Sequence, residues 1–151
     1  MQLREILFPF TGSNEESDML ILICKLARSA KANVTVLQVV EVPLCLPEDC
    51  PGSSLPRLEE ARQILECADL ISRKQGMQIS TEVVQAREVG PGIVRVAESI
   101  PSDLIVLAGV RSTHHPDQPI GETIGYLLRH APCPVWVGCQ PSPNGYRQRE
   151  G

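Results

Sequence analysis

Leu104-Ile105-Val106-Leu107-Ala108, closed by Gly109, is a continuous apolar run with no polar alternation. A strand with one wet face would alternate. A run without alternation, bounded by a glycine, reads as a strand covered on both faces, the hallmark of a parallel sheet sandwiched between helices. The neighbouring segments agree with that reading. Upstream, Gly90-Pro91-Gly92 starts a helix carried by Ile93, Ala97 and Ile100, and proline suits a first helical turn. Downstream, a polar loop from Val110 to Ile120 leads to a helix with Ile124, Leu127, Leu128 and Ala131 on one face. Pro132-Cys133-Pro134 breaks that helix, and Val135-Trp136-Val137 reads as the fifth strand.

The same pattern extends toward the amino terminus. Ile79, Thr81 and Val83 alternate with Ser80, Glu82 and Val84, so the third strand is expected at an edge. Leu58, Ala61, Leu65 and Ala68, widened by Ile64 and Ile71, form a helix that Gly76 ends. Pro43, Pro47, Pro51 and Pro56 forbid regular structure until about Ser54. The segment from Asn33 to Glu41 is rich in β-branched residues and reads as the second strand. Leu20, Ile23, Cys24 and Ala27 define the first helix, which Ser13 and Glu16 open with capping-box spacing. Ile6-Leu7-Phe8 is the first strand, ended by Pro9. The order is β-α-β-α-β-α-β-α-β, which implies a doubly wound α/β domain. Residues 1–139 are expected to form it, with 140–151 as a polar, flexible tail. Such sheets bind ligands beyond the carboxyl ends of their strands, here the loops 10–14, 42–55, 87–91 and 109–121.

Composition narrows the function. The 151 residues suit one domain, and 42% hydrophobic with 21% charged residues is a globular balance. A net charge of −4 argues against nucleic acid as partner. The few aromatics, Phe8, Phe10, Tyr126, Trp136 and Tyr146, make a poor base-stacking platform. Nothing at the start resembles a secretion signal and no apolar run could span a bilayer, so the domain is expected in the cytoplasm, without membrane insertion. It could still be a cytosolic appendage of a membrane protein.

The six cysteines show no zinc-ligand spacing. Cys24 and Cys67 sit in helical patterns as small hydrophobes. Cys45 and Cys50 share a loop and could pair under oxidant, against the reducing setting expected of a cytosolic chain. His114, His115 and Asp117 lie in one polar loop, but adjacent histidines in an extended loop point apart, so no metal site is expected. His130 suits a helix C-terminus. Gly12-Ser13 makes no nucleophile elbow, because position 15 is Glu, and no Walker motif occurs. With no catalytic constellation, the chain reads as a non-enzyme.

Three segments carry a resemblance. Ile6-Leu7-Phe8-Pro9-Phe10-Thr11-Gly12-Ser13 resembles the opening strand and turn of universal stress proteins. Asp103 to Gly109 resembles their fourth strand, and Tyr126 to Val137 their closing helix and strand. The likeness covers residues 4 to 138. It implies the strand order 3-2-1-4-5, a nucleotide crevice between strands one and four, and homodimers. Glu41-Val42-Pro43 with Leu46-Pro47, and Val84-Gln85-Ala86-Arg87, also resemble versions fused behind amino-acid permeases and cation antiporters.

ATP-binding members of that family carry Gly-x2-Gly-x9-Gly-[Ser/Thr] after strand four, and an acid in the first loop that contacts the nucleoside. Glycines let the backbone approach the phosphates, and the helix start holds the anion. Here Gly109 matches the first glycine, but the second is Ser112. Eight residues, not nine, separate Ser112 from Gly121. Glu122 replaces the hydroxyl residue, and Thr11 the first-loop acid. A carboxylate at a helix start takes the phosphate's electrostatic place and repels it. Thr123 could shift in as donor and Arg111 could offset some charge.

The resemblance therefore implies a degenerate crevice made of Phe10, Thr11, Gly12, Val40, Gly109, Ser112, Gly121, Glu122 and Thr123. Weak or absent ATP binding is expected there, with AMP or another adenine nucleotide as candidate ligand. A homodimer is expected through Val135, Trp136 and Val137, Trp136 being an interface anchor. The reading is a regulatory, ligand-sensing module. Its alternatives are an ATP-binding stress protein with slow hydrolysis, and a regulatory domain with a transporter or other protein as partner.

Overall fold

The structure is a computed structural model that describes residues 2–109 and 121–139. Its elements are β1 (Glu5–Pro9), α1 (Asn14–Ala30), β2 (Asn33–Glu41), a short 3-10 turn (Gly52–Ser54), α2 (Arg57–Lys74), β3 (Ser80–Ala86), α3 (Val89–Ser99), β4 (Leu104–Gly109), α4 (Glu122–His130) and β5 (Val135–Cys139). The five strands form one parallel sheet in the order β3-β2-β1-β4-β5. The doubly wound reading and its strand order therefore hold, with β3 at an edge.

Alternation along each strand splits the core into two layers, because successive side chains point to opposite faces. Ile6 and Phe8 of β1 join Val34 and Val36 of β2 against Leu20, Ile23, Cys24 and Ala27 of α1 and Leu65 and Ala68 of α2. Leu7, Leu37, Ile105 and Leu107 face the other way, against Ile93, Val96 and Ala97 of α3 and Leu127 of α4. A third cluster, Val40, Val42, Cys50, Leu55 and Ala61, anchors the proline-rich loop to the end of β2.

The helix punctuation follows local chemistry. Ser13 and Glu16 form the capping box of α1, with both reciprocal bonds present. Gly76, at φ +72°, follows the end of α2 in the left-handed conformation that favours glycine. Helix α3 begins one residue earlier than its Gly-Pro-Gly signal, at Val89, which keeps Pro91 within the first turn.

Two apolar assignments need correction. Leu128 is 55% exposed, although it shares the helical period of Ile124 and Ala131. Helix α4 lies over the β4–β5 end of the sheet, and among the described residues no further strand lies past β5 to cover a widened face. Cys67 is exposed, while Ala61, Leu65, Ala68 and Ser72 make the buried seam of α2. It precedes Ala68 by one residue, so it lies about 100° round the helix from that seam.

The amino-terminal ends of β1 and β4 are tied by Asp103. Its carboxylate accepts from the Arg4 amide at 2.8 Å and the Glu5 amide at 2.9 Å, and its own amide donates to the Glu5 carbonyl at 2.8 Å. The Arg4 amide first, then that of Glu5, holds the Asp103 carboxyl below its ordinary 3.8. A depressed folded-state pKa means that the unfolded chain binds the proton more readily. The tie therefore stabilises fully above pH 3.8 and is lost as pH falls through the folded value. Asp103→Asn should lower the urea midpoint at pH 7, and lower it by progressively less as pH falls below 3.8. An equal loss at every pH would contradict this account.

Among the described residues, no helix is long and apolar enough to cross a membrane.

Candidate functional site

At their carboxyl ends the two central strands part. The β1–β4 register runs only from Ile6↔Leu104 to Leu7↔Ile105, whereas β1 stays paired with β2 to Pro9↔Leu37. The Phe10 amide extends that side by donating to the Leu37 carbonyl at 2.9 Å. A notch thus opens between β1 and β4, the point where the winding direction reverses.

The first loop is closed on itself by Glu16. This side chain sits in the first turn of α1 and is only 9% exposed. Its carboxylate accepts from the Thr11 amide at 3.0 Å, the Thr11 hydroxyl at 2.5 Å, the Ser13 amide at 3.1 Å and the Ser13 hydroxyl at 2.9 Å. The Ser13 oxygen in turn accepts from the Glu16 amide at 3.2 Å. The capping-box spacing revealed the Ser13 half of this arrangement. The bonds to Thr11 depend on the turn at Gly12, whose φ is +94°. The Phe10 ring is buried between sheet and α1, so at the rim this residue offers its backbone.

Two clefts flank the end of β2. One, of 270 Å³, is lined by Thr11, Val40, Glu41, Arg57, Glu60 and Ile64, among others. The other, of 370 Å³, lies on the α3/α4 side and includes Glu41, Glu88, Gly90, Glu122, Thr123 and Tyr126. Glu41 stands in both. The Tyr126 ring lies so close to the first turn of α3 that a Cβ on Gly90 would meet its Cδ1 at 2.7 Å. Glu122 is the first residue of α4 and is exposed, following Gly121, which offers no side-chain cap. Three carboxylates, Glu41, Glu88 and Glu122, therefore share one cleft at the start of two helices.

The sequence-derived set is thus divided. Thr11 and Val40 line the smaller cleft, Glu122 and Thr123 the larger one, and Gly121 precedes the latter pair. Gly109 ends β4, where a Cβ would meet Cys139 Sγ at 2.9 Å and Val137 Cγ1 at 3.0 Å. Packing against β5 is thus sufficient reason for a glycine there. Ser112, Arg111, His114, His115 and Asp117 lie outside the described residues. Periodicity did not single out Glu41, Glu88 or Tyr126, because each belongs to a different element and meets the others only in three dimensions.

A larger cavity, of 850 Å³, lies between the proline-rich loop and β3, with Glu48, Cys50, Arg62, Val84, Gln85 and Arg95 in its wall. Arg95 bonds Glu48 at 3.1 Å, and the Gln85 side chain donates to the Cys50 carbonyl at 3.0 Å. These bonds hold the loop in place.

All six cysteines are free thiols, and burial pushes the Cys24 thiol above 9.0. Among the described residues, no three His, Cys, Asp or Glu side chains are grouped to hold a metal ion.

The sequence model of the Universal stress protein family matches residues 2–137. No curated protein sequence matches the chain. Among solved structures, a protein of the universal stress protein family from Burkholderia pseudomallei is similar at 28% identity and TM-score 0.68, covering 91% of this chain and 96% of that one. The universal stress protein from Archaeoglobus fulgidus in complex with dAMP is similar at 19% identity and TM-score 0.67, covering 91% and 98%. A universal stress protein in complex with cAMP gives 14% identity and TM-score 0.71, covering 93% and 100%.

Proposed function

Because the chain belongs to the universal stress protein family, we propose that it is a regulatory module that binds a small adenine ligand without turning it over, and that its rim disfavours ATP. The observation that carries this reading is the carboxylate trio Glu41, Glu88 and Glu122 lining the cleft at the start of α4. A helix start attracts anions through its free amides and positive dipole end, and a carboxylate already there competes with a phosphate for both. The residues present suit the two ends of a nucleotide unequally. The smaller cleft, with Val40 in its wall and Thr11 at its rim, suits a nucleoside. The phosphate end, by contrast, would meet like charge. The dAMP and cAMP complexes of two similar proteins, ligands with a single phosphate, agree with a small adenine ligand.

Isothermal titration of the chain with ATP and adenosine tests the reading. ATP should bind at least tenfold more weakly than adenosine. Glu122→Ser should tighten ATP by about two- to fivefold, the equivalent of 0.3–1 kcal/mol of helix-end electrostatics, and leave adenosine unchanged. Micromolar ATP affinity in the unmodified chain would refute the weak-binding claim. An unchanged ATP affinity in the variant would remove the role given to Glu122.

The same module is proposed to pair with a second copy through the outer edge of β5, as part of a domain spanning residues 1–139. Trp136 is 55% exposed on that strand, which supports the pairing.

A further inference from the structure

Strand β3 is the edge of the sheet opposite β5, and part of its outer backbone is unpaired. The Ala86 carbonyl accepts from the Val42 amide, just past β2, so Ala86 faces inward. Backbone direction alternates along a strand. Glu82 and Val84 therefore bond toward β2, while Thr81, Val83 and Gln85 turn their amides and carbonyls outward. The Arg95 guanidinium takes the Gln85 carbonyl. Among the described residues, nothing bonds the outward groups of Thr81 and Val83. Edge strands are commonly blunted by proline, a bulge or a cover. β3 contains no proline and pairs with β2 from Ser80 to Ala86 without a skipped residue. Two hollows run beside this edge. One is the 850 Å³ cavity, and the other, of 410 Å³, lies between α2 and the start of β3, with Leu65, Ile79 and Thr81 in its wall. Arg62 and Val83 line both, so the two make one continuous groove.

We propose that this groove is a docking site for an extended, basic segment of a partner protein, which adds a further strand beside β3. Main-chain bonds to Thr81 and Val83 would hold the segment, and its alternate side chains would enter the groove, as in other cases of strand addition. The charge of the walls selects the partner. Glu48, Asp49, Glu66 and Asp69 face Arg62 and Arg95, an excess of carboxylate that lysine or arginine side chains complement. Leu65, Ile79 and Val83 give the apolar positions of the segment a floor. The stapled loop sets where the added strand stops. Arg95 already holds the Gln85 carbonyl, and the Gln85 side chain ties the loop at Cys50, so no outward carbonyl past Val83 is open to it. A second copy of this chain is a poor occupant, because its own β3 edge would bring the same excess of carboxylates against this one.

Residue-resolved hydrogen exchange of the full chain tests this, with a synthetic peptide of alternating lysine and valine, as long as β3, as the probe. At saturating peptide the Thr81 and Val83 amides should exchange about tenfold more slowly or better, while those of Glu82 and Val84, already bonded to β2, should be unmoved. That alternation is a signature that non-specific adsorption of a cationic peptide would not produce. Glu66 is exposed on α2, so Glu66→Lys should leave the melting curve unchanged and weaken the peptide about three- to fivefold. If that variant fails to fold, the same peptide with glutamate in place of lysine puts the charge question to the unmodified chain, and it should bind more weakly by at least as much. Absence of protection at Thr81 and Val83, or equal protection at Glu82, would overturn strand addition. Equal binding by Glu66→Lys or by the glutamate peptide would overturn the basic partner. Protection of Thr81 and Val83 without peptide, rising with protein concentration, would make a second copy the occupant and overturn the proposal.

Discussion

Phe8→Ala should lower the unfolding free energy by about 3–5 kcal/mol, the range for removing a buried phenyl ring. Phe8 is 0% exposed and stands on β1, which pairs on both sides, with β2 and with β4. Its partner across the ladder is Val36, and its ring centroid is 6.0 Å from that of Phe10, tilted by 49°. The ring lies in the layer between the sheet and helices α1 and α2, so its loss leaves a cavity that the central strands are poorly placed to fill. A domain of this size holds together by only about 5–15 kcal/mol, so the variant should be marginal or unfolded at 37 °C. Urea denaturation checks the value, with Leu128→Ala as control. Leu128 is exposed, and its truncation should change stability by less than about 0.5 kcal/mol. A loss below about 1.5 kcal/mol for Phe8→Ala would contradict the packing described.

If the proposed pairing through β5 forms, Val137→Pro should leave the chain monomeric with its sheet intact. The Ile105 amide donates to the Pro134 carbonyl, and a parallel ladder alternates from there. Trp136 and Gly138 therefore turn their amides toward β4, whereas Val135, Val137 and Cys139 turn theirs to the outer edge. Val135 and Val137 pack their side chains against the α3/α4 layer, while Trp136 points to the opposite face and remains half exposed. An edge this short, apolar and β-prone invites pairing, and two copies can satisfy each other's amides about a twofold axis. Proline at 137 removes an outward donor and costs no bond to β4, which edge strands tolerate. Sedimentation equilibrium distinguishes the outcomes. A monomeric unmodified chain at high micromolar concentration, or a variant that still dimerises, would exclude this interface.

The element order was legible because it rests on patterns that local physics imposes, whereas the strand order came from the resemblance to universal stress proteins. An unalternated run such as Leu104 to Ala108 can only be comfortable where both faces are covered, and right-handed crossovers leave few ways to arrange five such strands. The capping box of Ser13 and Glu16 and the glycine after α2 were equally local, since each satisfies backbone groups within a few residues. The same reasoning overextended at Leu128 and Cys67. Helical period gives an angle about the helix axis, but it does not tell how far the neighbouring sheet reaches.

The site divided along the same line. Thr11, Val40 and Glu122 were expected at the site from a resemblance that fixes their place along the chain, and the fold puts the first two in one cleft and Glu122 in the other. Tertiary structure alone brought Glu41 from β2 and Glu88 from the start of α3 beside Glu122, and turned the Thr11 hydroxyl onto Glu16. Electrostatic repulsion and hydrogen bonding act through space over a few ångströms, between groups whose distance along the chain carries no record of that proximity.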